Sequence, residues 1–380
     1  MDSQPFCSTA ISFSDKCGLE QNLLALGEAN IVLIMDKKLV SAWEMASLIG
    51  ELKNRCLSLK GSFTWIKQLA SNPTQKDILF SLQQIGARNV DAIIACGGGS
   101  SIDLAKGISL FHDPENNNRY KIEDLTEIIE SKKYKKTGFI NIIAVPSTAG
   151  TGSEITQWAT IWDQDKRGKF SIDHAMLRPK KAIVTPELTL SVPPLTTLAT
   201  GLDAMCHAIE SYWSKHTTPL VQEIAYRAAE IIIANLRKAV DSPGDIFYRE
   251  RLCRASVLSG LAFSQTRTTA CHSISYPLTM LYNIPHGLAA SITLDAVGQI
   301  NRGHFPNDKE LFALFSQCGG IKKWVDSVCE GVINLRLSAY GISSKDIIFM
   351  ADKAFTEGRM DNNPVALSRN DVINVLASVM

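Results

Sequence analysis

The most constraining feature of this sequence is a unit repeated in its first half: a short, mainly apolar run, then a turn, then a stretch with helical periodicity. Three such runs are clear, at residues 31–35 (IVLIM), 92–96 (AIIAC) and 141–145 (NIIAV). Continuously apolar strands are typical of a parallel sheet covered by helices, because both faces of each strand are buried. The pattern therefore predicts an α/β domain with a doubly wound, mostly parallel sheet.

The second half of the chain has a different texture. After Pro193 and Pro194, long stretches such as residues 223–240 carry apolar residues at helical spacing, with few strand-like runs between them. We therefore predict a dinucleotide-binding α/β domain over residues 1–188 and an all-α C-terminal domain over residues 189–380. The length of 380 residues agrees with two domains, because one domain usually takes about 100–200 residues.

Charge and cysteine content narrow the class of protein. Lys and Arg total 39 and Asp and Glu total 38, so the net charge of +1 gives no support to a nucleic-acid or membrane-surface partner. Nine cysteines without a CxxC pair argue against a disulfide framework or a cysteine zinc site. The sequence shows neither an apolar run of transmembrane length nor a secretory signal, so we expect a cytoplasmic protein.

Two loops that follow predicted strands are candidates for binding a dinucleotide. Residues 97–101 (GGGSS) lead into a predicted helix, where glycine lets the backbone approach a pyrophosphate and the helix N-terminus attracts its charge. The alternative is a plain tight turn. Residues 146–154 (PSTAGTGSE) follow the next strand and reach the same sheet edge, where open α/β folds bind ligands.

Asp36, at the end of the first predicted strand, is placed to accept hydrogen bonds from an adenosine ribose. A carboxylate there favours NAD, because it would repel the 2′-phosphate of NADP. The neighbouring Lys37 and Lys38 leave NADP possible. An ordinary turn residue is the alternative interpretation of Asp36.

Four residues of the second half could ligate a metal ion. Asp203 and His207 are one helical turn apart, so their side chains share a face and can converge on one ion. His272 and His286 follow further along the chain. One carboxylate and three imidazoles suit Fe²⁺ or Zn²⁺ better than Mg²⁺ or Ca²⁺, which prefer oxygen ligands. The alternative is that these histidines are structural.

In this order and at these separations, the motifs resemble the iron-containing (group III) alcohol dehydrogenase family over nearly the whole chain. The resemblance is carried by residues 72–74 (NPT), 97–106 (GGGSSIDLAK), 146–154, 201–204 (GLDA) with His207, and 285–287 (PHG). It implies an architecture like that of dehydroquinate synthase, with a dinucleotide-binding domain, a helical domain and an active site between them. It also implies a homodimer or larger homo-oligomer.

The resemblance further implies roles for individual residues. Asp203, His207, His272 and His286 fall on the family's metal positions, and Asp36 falls on the position beside the adenosine ribose. The other cofactor-binding positions are matched by Asn72, Gly98, Gly99, Ser100, Asp103, Thr148 and Thr151. Lys169 matches a lysine near the nicotinamide ribose and is a candidate catalytic residue, although without the resemblance it would be taken for a solvated basic turn.

The sequence departs from the family pattern at one position. Many members carry a further histidine four residues after the third metal ligand, close to the substrate, and here that position is Tyr276. A tyrosine hydroxyl can pass a proton or bind substrate, although it titrates near 10 rather than ~6.5. Tyr276 is therefore a candidate catalytic residue.

The H-x-x-x-Y-P-L pattern around Tyr276 resembles the branch that reduces phosphonoacetaldehyde to 2-hydroxyethylphosphonate. A phosphonate needs a cationic partner. Arg267, close in sequence to His272, is the candidate, and its alternative interpretation is an exposed loop arginine.

We therefore predict an NAD(P)-linked, metal-dependent alcohol dehydrogenase that transfers hydride between the nicotinamide and a small aldehyde, most specifically phosphonoacetaldehyde. Two alternatives remain open. One is an NAD- and metal-dependent lyase of the dehydroquinate synthase type, which regenerates its cofactor in each turnover. The other is a non-catalytic nucleotide- or metal-binding protein.

Overall fold

The structure is a computed structural model that describes residues 6–43, 45–68, 72–162 and 168–380, with the backbone alone at residues 36–38. Contacts divide the described chain into two compact units. The first contains the described residues of Met1–Thr148 and Ser153–Ser191, and the second contains Ala149–Gly152 and Val192–Met380. The predicted boundary after residue 188 lies just before this division. Nothing in the sequence indicates that residues 149–152 pack with the second unit.

The first unit is built on a parallel sheet. Its strands are β1 (Ala10–Phe13), β2 (Ile31–Asp36), β3 (Phe63–Gln68), β4 (Ala92–Gly97), β5 (Asn141–Pro146), β6 (Trp158–Trp162), β7 (Lys169–Asp173) and β8 (Lys181–Val184). Six of them form one sheet in the order β1-β8-β5-β4-β2-β3, and every neighbouring pair is parallel. Strands β6 and β7 form a separate antiparallel hairpin.

Helices cover both faces of this sheet. They are α1 (Lys16–Leu24), α2 (Lys37–Ala42), α3 (Ala46–Ser58), α4 (Gln75–Ile85), α5 (Gly99–Phe111) and α6 (Ile122–Ser131). Val32 and Ile34 of β2 belong to a core cluster with residues of α4 and α5, whereas Ile31, Leu33 and Met35 belong to a second cluster with residues of α1 and α3. Because neighbouring residues of one strand enter opposite cores, the strand is apolar throughout. The predicted doubly wound sheet is confirmed.

The strand order reverses next to β2. Strand β3 lies on one side of β2 and β4 on the other, so the carboxyl ends of β2 and β4 flank the point of reversal. Open α/β sheets bind ligands at such a point. Asp36 ends β2, Gly97 ends β4, and Gly97 pairs with Pro146 at the end of β5. The two predicted loops therefore leave from neighbouring strand ends.

The second unit contains helices and no strand among its described residues. The helices are α7 (Pro194–Trp213), α8 (Pro219–Asp241), α9 (Ile246–Thr266), α10 (Ala270–Tyr282), α11 (His286–Ser291), α12 (Leu294–Asn301), α13 (Asp308–Leu314), α14 (Ile321–Cys329), α15 (Ser344–Lys353) and α16 (Arg369–Ser378). Helix α7 is buried on nearly all sides, with α8, α9 and α11 packed around it. The predicted all-α C-terminal domain is confirmed.

Short 3₁₀ helices occupy Ala175–Leu177, Pro186–Thr189, Ser316–Cys318, Leu337–Tyr340 and Met360–Asn362. Of the helices in the described ranges, none is both long enough and apolar enough to cross a bilayer.

Candidate metal and cofactor sites

Three side chains of the second unit converge in a way that could hold a metal ion. Asp203 and His207 lie one turn apart on α7, His272 lies in the first turn of α10, and their ligand atoms are within 4.8 Å of one another. Asp203 Oδ1 is 3.4 Å from His272 Nε2 and 4.0 Å from His207 Nε2. Two ligand atoms bound to one ion at about 2.1 Å lie at most about 4.2 Å apart. These distances therefore fit a single ion.

The burial of these three residues also fits a metal site. Asp203, His207 and His272 are 4%, 5% and 2% exposed. Within the described part of the chain, Asp203 Oδ1 and His272 Nε2 have no hydrogen-bond partner. A buried polar atom without a partner is destabilising by about 1–3 kcal/mol, and a cation would satisfy both atoms at once. The aspartate and histidine donors suit Fe²⁺ or Zn²⁺.

A second carboxylate fixes the orientation of His272. Glu210, on α7, is fully buried, and its Oε2 is hydrogen-bonded to Nδ1 of His272. Its Oε1 accepts hydrogen bonds from the backbone N–H of Thr269 at 3.0 Å and from the Thr269 hydroxyl at 2.8 Å. A histidine that ligates a metal usually donates its other ring N–H to a carboxylate of this kind. Glu210 therefore holds the imidazole with Nε2 directed towards Asp203.

The charges of this cluster depend strongly on one another. Burial lowers the pKa of His207 to about 4, although the charge of Asp203 opposes this shift. Burial also disfavours protonation of His272, but Glu210 and Asp203 outweigh it and raise the pKa of His272 to about 10. Burial alone would raise the pKa of Asp203, whereas the histidines around it hold that pKa well below its usual range. Asp203 is therefore ionised, which is the state that binds a cation.

His286 stands beside this cluster, at the start of α11. The centroid of its ring is 5.3 Å from that of His272, and its charge is close enough to help lower the pKa of Asp203 below the value that burial favours. Gly287 permits this approach, because a Cβ there would lie only 1.9 Å from the carbonyl oxygen of Ala199. The Pro-His-Gly motif thus brings α11 directly against α7. The role of His286 as a fourth ligand stays a prediction.

His207 is held from two further directions. The ring of Phe263, on α9, stacks on the imidazole with a centroid separation of 4.0 Å. Nδ1 of His207 lies 3.3 Å from the carbonyl oxygen of Gly150. Residues 149–152 therefore form part of the surroundings of the metal cluster, and Thr151, predicted to contact the cofactor, belongs to this short stretch.

In the first unit, the glycine-rich loop has the features of a phosphate cradle. Gly98 is the N-cap of α5, whose first turn begins with Gly99 and Ser100 and presents backbone N–H groups. A Cβ on Gly98 would lie 3.3 Å from Thr148 Oγ1, so the two predicted loops are in close contact here. The backbone N–H of Asn72 donates to Ser100 Oγ at 3.0 Å. The structure thus brings these predicted cofactor residues together at the carboxyl edge of the sheet.

Behind the loop, Asp103 and Lys106 tie α5 to residues 153–162. Lys106 is fully buried and its Nζ donates to the carbonyl oxygens of Ser153 at 2.8 Å and Trp158 at 2.6 Å. Asp103 accepts hydrogen bonds from the hydroxyl of Ser153 and from the backbone N–H of Thr160. Both carboxylate oxygens of Asp103 are therefore engaged within the protein, and its predicted contact with the cofactor stays a prediction.

Comparison with known proteins decides the family. Residues 12–186 match the iron-containing alcohol dehydrogenase family, and residues 197–380 match the C-terminal part of the Fe-containing alcohol dehydrogenase family. The probable alcohol dehydrogenase EutG of Escherichia coli (strain K12) is 30% identical, over 95% of this chain and 90% of that protein. The chain belongs to the iron-containing alcohol dehydrogenase family.

Two further similar proteins show how far the likeness extends. The NAD-dependent methanol dehydrogenase of Bacillus methanolicus is 31% identical over 77% of this chain and 78% of that protein. The crystal structure of sulfoacetaldehyde reductase from Bifidobacterium kashiwanohense in complex with NAD⁺ has a TM-score of 0.84 at 26% identity, covering 100% of this chain and 99% of that one. As a family member, this protein is an NAD-linked, metal-containing oxidoreductase that interconverts alcohols and aldehydes.

The remaining residues predicted for an iron-containing alcohol dehydrogenase are placed as follows. Asp36 ends β2, while its side chain lies outside the described residues. Lys169 begins β7, and its charge opposes the rise that burial produces in the pKa of Asp103. Tyr276 is buried one turn after His272, with its ring nearly parallel to that of His286 at a centroid separation of 5.9 Å. Their roles in catalysis and cofactor binding stay predictions.

Two buried charged residues of this iron-containing alcohol dehydrogenase were not predicted from the sequence, although a sequence pattern indicates each of them. Glu210 follows Asp203 and His207 at the i, i+4, i+7 spacing of one helical face, on a helix that carries no other charged residue. Lys106 lies three residues after Asp103 in a stretch whose other residues are apolar or small. A charged residue at a position that the periodicity makes buried indicates a buried partner.

Proposed function

We propose that this protein reduces phosphonoacetaldehyde to 2-hydroxyethylphosphonate with NADH. The observation that carries the proposal is the place of Arg267. It is the C-cap residue of α9 and lies one turn after Phe263, whose ring stacks on His207. A guanidinium is well suited to bind a phosphonate, since its N–H fork matches two oxygens of a tetrahedral anion. The similarity to a sulfoacetaldehyde reductase supports a two-carbon aldehyde with a tetrahedral anionic group.

The net reaction consumes the aldehyde, NADH and one proton, and yields the alcohol and NAD⁺. When bound, the metal ion would supply a Lewis acid for the carbonyl oxygen, and the reduced nicotinamide would supply the hydride. Asp203, His207 and His272 would hold the metal, with His286 beside them. Glu210 keeps His272 in the tautomer and orientation that ligation needs.

Tyr276 is the proposed source of the proton that the product oxygen takes up. It lies one turn after His272 on α10, and its ring stacks against that of His286. A phenol hydroxyl at hydrogen-bond distance from a developing oxyanion can donate its proton and regain one from solvent. The position thus supplies a proton donor where many family members have a histidine.

A kinetic comparison of aldehydes tests the proposal. The enzyme is loaded with Fe²⁺ or Zn²⁺, and loss of NADH absorbance is followed with phosphonoacetaldehyde, sulfoacetaldehyde and acetaldehyde. We expect kcat/KM to be highest for phosphonoacetaldehyde, and about 10- to 100-fold above that for acetaldehyde, because a charged hydrogen bond contributes about 1.5–3 kcal/mol. A higher value for sulfoacetaldehyde or acetaldehyde would contradict the proposed substrate.

The same assay separates the proposed reaction from the two alternatives. A lyase that regenerates its cofactor in each turnover would show no net change in NADH. A non-catalytic binding protein would show no change in NADH with any aldehyde. Enzyme stripped of metal and verified as metal-free is the control. Full activity in that sample would contradict a metal-dependent reaction.

A further inference from the structure

The C-terminal segment 354–363 packs against the start of α10. The backbone N–H of Thr356 donates to Ser273 Oγ at 3.0 Å, and Asn362 Nδ2 donates to the carbonyl oxygen of Thr268 at 3.1 Å. Residues 268 and 273 bracket the part of the chain that carries the metal ligand His272. The segment therefore packs, within the second unit, against the stretch of chain that carries His272.

Two arginines from distant parts of the chain meet at one glycine of this segment. Nη1 of Arg359 donates to the carbonyl oxygen of Gly358 at 2.8 Å. Nη1 of Arg267 lies 2.8 Å from the position that a Cβ on Gly358 would occupy. Both reference points, the carbonyl oxygen and the Cβ position, belong to Gly358. Adding the dimensions of one residue to the two distances puts the Nη1 atoms of Arg267 and Arg359 within about 9 Å of each other. A tetrahedral anion with a hydrogen bond on either side spans about 8 Å.

The backbone at Arg267 is strained in a way that is uncommon outside functional sites. Its φ of 60° and ψ of −179° lie in a region that glycine occupies almost exclusively. The opposing Gly358 has a φ of +70°, and the missing Cβ leaves the space that the Arg267 guanidinium fills. Strain of this kind persists where the surrounding structure over-determines the conformation, and it clusters at ligand-binding sites.

The two arginine side chains are better shielded from solvent than the carboxylates nearest to them in the sequence. Arg267 and Arg359 are half-buried, whereas the side chains of Glu357 and Asp361 are exposed. Charges that are partly removed from water are screened less than charges at the surface. An anion close to the two half-buried guanidinium groups would therefore be attracted with less screening than one beside an exposed arginine.

We propose that Arg267 and Arg359 together bind the tetrahedral anionic group of the substrate, a phosphonate or a sulfonate. The inference rests on the proposed function and adds Arg359 as a second determinant of the preference for anionic aldehydes. Each guanidinium presents a fork of N–H donors that matches two oxygens of such a group. Arg359 carries five N–H donors, and the bond from its Nη1 to the carbonyl oxygen of Gly358 uses one of them.

Kinetics of arginine variants test the site. The variants are Arg267→Met, Arg359→Met, the double variant and, as a control, Arg254→Met, which removes an exposed arginine of α9 that pairs with Glu250. The quantity measured is kcat/KM for phosphonoacetaldehyde divided by that for acetaldehyde. We expect each single variant at the site to lower this ratio about 10- to 100-fold, and the control to keep the wild-type ratio. Lysine at either position should give an intermediate ratio, because it keeps the charge and loses the fork.

The double variant shows whether both arginines hold one anion. If they do, the loss in the double variant is smaller than the product of the two single losses, because the second arginine contributes less once the first is gone. A wild-type ratio in both Arg359→Met and Arg359→Lys would overturn the two-arginine site and leave the proposed function in place. An equal fall in the Arg254→Met control would also overturn it, since net charge would then explain the effect.

Binding of inert anions separates a failure of this inference from a failure of the proposed function. The affinities of the metal-loaded protein with NAD⁺ for methylphosphonate and methanesulfonate are measured by calorimetry. We expect both anions to bind the wild type, Arg359→Met to weaken that binding about 10- to 100-fold, and the stronger ligand to identify the natural group. If the wild type did not prefer anionic aldehydes, the proposed function would fail. Unchanged anion affinity in Arg359→Met would overturn the site itself.

Discussion

Replacing Glu210 by glutamine tests how the metal cluster is built. Glu210 meets the ring N–H of His272 with one oxygen and the backbone N–H and hydroxyl of Thr269 with the other. Glutamine offers one oxygen and one NH₂ group. If its NH₂ faces His272, the imidazole must become an acceptor at Nδ1 and carry its proton on Nε2, which blocks ligation. If its NH₂ faces Thr269, a buried backbone N–H loses its acceptor.

The expected size of the effect follows from these contacts. A buried donor without a partner is destabilising by about 1–3 kcal/mol, and every 1.4 kcal/mol corresponds to about a tenfold change in affinity. We therefore expect Glu210→Gln to weaken metal binding about 10- to 100-fold, which is the usual effect of removing a carboxylate behind a ligating histidine. Glu210→Asp, which keeps the charge on a shorter side chain, should lie between glutamine and the wild type.

The assay is a titration of the metal-free protein with Zn²⁺ in competition with a chelator, with circular dichroism to verify the fold. Glu310→Gln is a matched control, because Glu310 accepts a hydrogen bond from Tyr212 of the same helix α7 at 3.1 Å, and no hydrogen bond found among the described residues joins it to a proposed ligand. The control should bind metal like the wild type. Wild-type affinity in a folded Glu210→Gln variant would refute the idea that this carboxylate orients His272.

Three further predictions concern stability. Burial lowers the pKa of His112 to about 4, so from about pH 6.5 down to pH 4 the unfolded chain binds a proton that the folded chain does not. Stability should therefore fall as the pH drops, by roughly 2 kcal/mol at about pH 5, and His112→Gln should lessen the fall in the urea midpoint. Arg267→Gly and Arg267→Ala remove the same guanidinium, but alanine keeps a Cβ at a φ of 60°, so the glycine variant should melt higher, with an advantage of about 1–2 kcal/mol. Lys106→Met leaves half-buried Asp103 and the carbonyl oxygens of Ser153 and Trp158 without the buried ammonium group, and should lower the free energy of unfolding by about 3–5 kcal/mol.

Each of these predictions has a clear contrary result. An unchanged pH profile in His112→Gln would show that other groups control acid stability. Equal melting temperatures for the glycine and alanine variants at residue 267 would contradict the strain. Wild-type stability in Lys106→Met would show that the buried lysine contributes no net stabilisation.

Much of the fold could be predicted because the amino-acid composition of its central strands shows that they are buried. Strands β2, β4 and β5 are buried on both faces, so their apolar runs are continuous and their positions agree with the predicted ones. The edge strand β1 and the hairpin of β6 and β7 have no continuous apolar run. Their burial depends on tertiary neighbours, which the local sequence does not specify. Helix α6 was not predicted either, because only Leu125 and Ile129 of its ten residues are buried.

The sequence alone determined the residues that are close along one helix or at one strand end. Asp203 and His207 share a helical face because of their spacing, and the GGGSS loop follows a buried strand, so the cofactor and metal motifs could be found without a structure. Only the tertiary structure placed Glu210 against His272 and Arg359 with Arg267 at Gly358. Those contacts join separate elements, and helix packing, which no local pattern encodes, decides which side chains meet.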